Sequence, residues 1–228
     1  MISVSIAELL PLAAGVAIAP TQIIAMIALL LAANARRNGT AFAAGWLVGL
    51  FGLSTVLTFL VDAGDGAAGE SGGGPGIGAW IKVVIGLAML YLAFRTWRNR
   101  READEPQDEP AWMTRLDELS PFRSFRLGLL LVVVDPLNLL MCAGVASLVG
   151  AAGLGGTEIL AVLVVFTILG SVTIVGPILY FLVRGAAIEP TLAEIRGWMT
   201  ANQTAVSMTV LILLGFVLLS DGIEAIAL

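Results

Sequence analysis

Of the 228 residues, 58% are hydrophobic and only 13% charged, with a net charge of −5 and a mean hydropathy of +0.97. A soluble domain carries about 25% charged residues, so the composition marks an integral membrane protein, with no stretch left for a separate soluble domain and no basic excess to suggest a nucleic-acid partner. There is no histidine and one cysteine, Cys142, which excludes His-based triads, HExxH zinc sites, an internal disulfide and a two-cysteine redox relay; no metal, cofactor or enzymatic activity is expected, and Cys142 reads as inert packing.

The first eight residues carry an acid and no basic residue, unlike a cleaved signal peptide, so the first apolar run is read as a retained helix. Six runs qualify as membrane spans, over about residues 6–33, 40–61, 77–97, 125–149, 157–183 and 204–219. Arg36 and Arg37 follow the first span. Arg95, Arg98, Arg100, Arg101, Arg115, Arg123 and Arg126 surround the connection between the third and fourth. Arg184 and Arg196 lie between the fifth and sixth. The opposite connections, 62–76 and 150–156, hold no Lys or Arg, and Lys82 can snorkel. The positive-inside rule then places both termini outside. The Gly- and acid-rich segment 64–78 reads as flexible and solvated. Residues 102–110 read as a disordered linker, and 111–116 as a short helix on the inner surface, with the arginines of this connection anchored to anionic lipid.

Two stretches interrupt apolar runs: Ala19-Pro20-Thr21-Gln22 and Val134-Asp135-Pro136-Leu137-Asn138. A central Asp costs roughly +3 kcal/mol on translocon scales, and each proline deletes an N–H and clashes with the carbonyl one turn back. Each helix is therefore expected to kink or break there, exposing polar groups that lipid cannot satisfy. In both, a carboxamide follows the proline by two positions. Gln22 and Asn138 can bond the freed carbonyls or a ligand, and Asp135 can take up a proton or pair with a cation.

The halves also match elsewhere. Gly39-Thr40 corresponds to Gly156-Thr157, Phe59-Leu60-Val61 to Phe181-Leu182-Val183, and Gly86 to Gly215. Three spans per half make the second unit inverted, so the expected fold is all-α, two inverted three-helix repeats (1–97 and 125–228) joined by a cytoplasmic loop (98–124). The candidate substrate or ion pathway is Pro20, Thr21, Gln22, Asp135, Pro136 and Asn138, with simple kinks and a structurally bonded acid as the plainer alternative. Gly45-x-x-x-Gly49 reads as close packing. Ser54, Thr55, Thr58, Thr167, Ser171 and Thr173 read as back-bonded to their own helices, the five tryptophans as interface anchors, and Gly176-Pro177 as a break in the fifth span.

On Ala19-Pro20-Thr21-Gln22-Ile23-Ile24-Ala25, Arg36-Arg37-Asn38-Gly39-Thr40-Ala41-Phe42-Ala43-Ala44-Gly45-Trp46 and Asp135-Pro136-Leu137-Asn138-Leu139, the chain resembles the lysine-exporter (LysE) superfamily. Within it, the chain is most similar to the actinobacterial glycopeptidolipid- and sulfolipid-addressing group. Where that superfamily usually carries Asn-Pro-Lys-Asn, this chain has Asp135 and Leu137 in place of the first Asn and the Lys. The resemblance implies a secondary transporter or translocation factor in the cytoplasmic (inner) membrane of a bacterium that exports or flips an envelope (glyco)lipid; a homodimer is expected, and Asp135 points to protons as the coupling ion. The alternatives are export of a small solute such as an amino acid or cation, and a non-transporting scaffold for a lipid-export complex.

Overall fold

In a computed structural model of the chain, residues 6–68, 77–98 and 119–227 are described. Their regular elements are all helical: α1 (Ile6–Ile18), α2 (Pro20–Leu30), α3 (Ala35–Ala68), α4 (Ile77–Arg98), α5 (Pro121–Val134), α6 (Pro136–Ala151), α7 (Gly156–Gly170), α8 (Val172–Arg184), a 3-10 turn (Gly185–Ile188) and α9 (Glu189–Ala227). Three stretches are long and apolar enough to cross a bilayer: Ala35–Val61 in α3, Gly156–Arg184 across α7 and α8, and α9. The number rises to five if the bent pairs α1–α2 and α5–α6 each make one span. The chain is a helical membrane protein. The expected linker 102–110 and surface helix 111–116 lie outside the described residues.

Glycines set the closest approaches. A methyl at Gly45 would land on the Phe125 carbonyl, and one at Gly49 would meet the Leu129 backbone, so α3 and α5 run parallel with almost no side chain between them. The Gly45-x-x-x-Gly49 pattern is close packing, as its spacing predicts. Gly128 of α5 answers it against Phe42 and Trp46. Gly86 and Gly215 play the same part where α4 and α9 cross antiparallel; a Cβ at Gly86 would sit 2.9 Å from the Gly215 carbonyl oxygen. α1 and α6 are also antiparallel. Gly15 faces Met141, and one turn back along α1 Leu12 faces Gly144. Continued the other way, that register brings the end of α1 at Ile18 level with Asn138 in the first turn of α6.

These registers gather the described arginines at one end of the molecule. α3 and α5 start there, with Asn38 donating from its Nδ2 to the Leu119 carbonyl at 2.9 Å. α8 runs antiparallel to α3 and ends there, with Ile178 near Gly39, and α9 starts from the same turn. Lys82 lies at the opposite end, with Glu8, Leu148 and Asp221 around one cavity.

Four expectations need correction. α9 is one helix of 39 residues rather than a span beginning near 204, so Arg196 sits in a helix and not in a connection. Pro190 stands in its first turn, where a missing N–H costs nothing, and no breaker follows. α3 continues to Ala68, so 64–68 is helical and not loop. The break in the fifth span falls at Ser171, between α7 and α8, while α8 runs on through Pro177. Trp46 is fully buried among the core residues rather than at an interface, whereas Trp80, Trp97 and Trp198 are exposed; Gly128 lets α5 close onto the Trp46 backbone.

Candidate functional site: two proline-broken helices

Both sequence-predicted prolines break their helices. α1 and α2 meet at Ala19 with a bend of 50°, α5 and α6 at Asp135 with a bend of 69°. Each hinge residue precedes a proline and is pushed out of helical ψ, to 121° at Ala19 and 116° at Asp135. Each proline is then the first residue of the next helix, the position it tolerates best.

At the first break the polar groups are bonded by side chains from three places. Gln22 Nε2 donates to the Val16 carbonyl, the one that Pro20 strips of its helical partner, at 3.0 Å. Thr173 Oγ1, from the start of α8, donates to the Ala17 carbonyl at 2.6 Å. Gln203 Nε2, from α9, donates to Thr21 Oγ1 at 3.4 Å. Pro20 and Gln22 through Leu30 are all buried, so α2 is enclosed by protein along its whole length.

At the second break the chain bonds itself. Asp135 caps α6, its Oδ1 accepting from the Leu137 N–H at 2.9 Å. Asn138 Nδ2 donates to the Leu131 carbonyl at 3.4 Å. Asp135 is half-buried, and its neighbours Val134 and Pro136 are exposed.

The two carboxamides thus do similar work, each donating to a carbonyl of the preceding helix. Each leaves its oxygen, Gln22 Oε1 and Asn138 Oδ1, buried without a partner among the described residues. An unpaired buried acceptor costs about 1–3 kcal/mol. The antiparallel register of α1 and α6 sets the breaks at one level. The bonds formed by the six predicted site residues, however, join Gln22, Asp135 and Asn138 to their own segments and Thr21 to α9, not one break to the other.

Thr173 and Ser171 depart from the back-bonding expected of the six hydroxyl residues. Ser54, Thr55, Thr58 and Thr167 do back-bond that way, at 2.7–2.8 Å. Thr173 instead crosses to α1, and Ser171 Oγ is buried without a partner among the described residues. Gly170, the residue before it, packs on Val16 and Leu50. The α7–α8 break therefore lies against the first proline break. Its only sequence signal is two hydroxyls after a glycine. Gln203 gave no signal either, since it reads as a polar residue ahead of a span.

Two cavities lie away from the breaks. One, about 250 Å3, is at the Lys82 end, between Glu8, Lys82 and Asp221. The other, about 550 Å3, is at the arginine end, between the α2–α3 turn and the start of α9. Neither is lined by a residue of the candidate pathway.

No curated protein and no solved structure matches the chain. The family model described as Sap, sulfolipid-1-addressing protein, matches residues 9–224, taking in both proline breaks and, in whole or in part, each helix of the described residues. The chain belongs to this Sap family.

Proposed function

We propose that the protein is a translocation factor of the lysine-exporter type that helps to move an envelope lipid across or out of the membrane, with the α5–α6 break as its moving part and the α1–α2 break as the fixed member of the pair. The family's description, lipid addressing, supports the substrate class. One observation carries the mechanism: two levelled helix breaks, each holding a carboxamide oxygen that is buried and unpartnered. Such groups are expensive at rest and become useful when a polar headgroup arrives to donate to them. With Gln22 and Asn138 1% and 0% exposed, this form is closed to the ligand.

In this reading the chain crosses the membrane six times as two inverted units. The contact pattern supports that reading: α2 lies on α9 as α6 lies on α4, and α4 and α9 cross at the matched Gly86 and Gly215. Opening bends α5 against α6 at Asp135, whose carboxylate releases the α6 cap when it takes up a proton. The headgroup then reaches Asn138 and Gln22, and re-capping closes the site behind it.

The test is transfer of a fluorescent glycolipid between the leaflets of vesicles that contain the purified protein, read by quenching from outside. A Gln22→Met/Asn138→Met pair keeps most of the volume and removes both oxygens; it is expected to slow transfer by at least about tenfold, one lost hydrogen bond's worth. A pair that transfers at the wild-type rate would overturn the proposal.

A further inference from the structure

The turn that joins α2 to α3 and the turn that joins α8 to α9 face each other across the cleft of about 550 Å3. Arg36 and Arg37 line one wall, Gly185 and Glu189 the other, and Leu31 and Phe181 contribute apolar surface. Both arginines are exposed, and among the described residues neither guanidinium pairs with a carboxylate, Glu189 included. Two adjacent guanidiniums in the first turn of a 34-residue helix stand where the helix dipole is already positive. Left empty, that arrangement repels itself. An oxyanion between the arginines would relieve the repulsion and meet forked N–H donors that match its geometry. The volume of the cleft leaves room for one. Gly185 has φ +62°, a conformation L side chains rarely adopt, and the site of its absent Cβ is 3.9 Å from Arg36 Nη2.

We infer that this cleft is an oxyanion site for a phosphate- or sulfate-class group, with Arg36 and Arg37 as its cationic pair and Glu189 as the acid that weakens it. The same chemistry is offered by an anionic lipid headgroup and by a free anion. The inference does not depend on the translocation reading, because the site is read by binding alone and uses none of the break residues.

The experiment places the purified full chain in phosphatidylcholine nanodiscs with or without phosphatidylglycerol and counts retained phosphatidylglycerol by native mass spectrometry. Wild type is expected to retain it. An Arg36→Gln/Arg37→Gln pair should bind about thirtyfold more weakly, the worth of one charge-assisted hydrogen bond to the bound oxyanion. Glu189→Gln should bind several-fold more tightly, a gain that a misfolded protein does not give. Arg95→Gln/Arg98→Gln removes the same charge from the end of α4 and should change binding less than about twofold. Inorganic phosphate that competes with the lipid in wild type but not in the Arg36/Arg37 pair assigns the site to soluble anions as well, and phosphate without effect assigns it to headgroups. Equal loss in both arginine pairs, or no gain in Glu189→Gln, would overturn the inference.

Discussion

At the first proline break every residue from Gln22 to Leu30 is buried, and α8 and α9 bring in side chains to bond it. At the second, Val134 is 69% exposed, Pro136 is at the surface, and the bonds come from Asp135 and Asn138 within the same segment. The same covalent defect has been met once by the surrounding protein and once by the chain itself. A break bonded by three separate elements moves only if they all move. A break closed by its own cap can bend with little disturbance elsewhere, which makes α5–α6 the mobile member of the pair and α1–α2 the fixed one.

The largest effect that would break this contrast is expected from Gln22→Glu. It sets a carboxylate oxygen against the Val16 carbonyl inside protein and should cost about 3 kcal/mol or more. Asn138→Asp should cost about half as much, because its bond is longer and the nearby Val134 and Pro136 are exposed. Thermal unfolding in detergent measures both, and equal losses would erase the distinction. Next, Thr173→Val keeps the shape and removes the bond to Ala17, for about 1 kcal/mol.

Asp135→Ala removes the α6 cap and should also cost about 1 kcal/mol, whereas Asp135→Asn keeps a good cap and should leave stability within a few tenths. Lipid transfer by Asp135→Asn should lose its dependence on pH; an unchanged pH profile would remove the carboxyl from the mechanism. The smallest effect belongs to Ser171→Ala. It deletes a hydroxyl that is buried without a partner among the described residues and should be neutral or slightly stabilising, within about 0.5 kcal/mol.

The breaks were legible because proline's missing N–H is a local fact, and Pro20 and Pro136 carry it in the sequence. The role of Gln22 toward the freed carbonyl was legible for the same reason: donor and acceptor are six residues apart. What escaped was non-local. Thr173 reaches Ala17 across 156 positions, and no helical period encodes that. Trp46 reads as an interface residue, yet α5 closes on its backbone at Gly128 and the side chain is fully buried. Pro177 reads as a breaker, yet α8 absorbs it within its second turn, and the interruption falls where Gly170 lets two helices close on Val16. The cleft beside Arg36 and Arg37 needs two turns that only the tertiary fold brings face to face.

The enclosure of α2 has a consequence for synthesis. With 11 residues it is too short to cross a bilayer alone, and the residue that bonds Thr21 lies 182 positions further along. While the ribosome is still making the chain, α2 waits at the membrane without the neighbour that will sheathe it. Its burial is therefore a late event of assembly, completed only when α9 arrives.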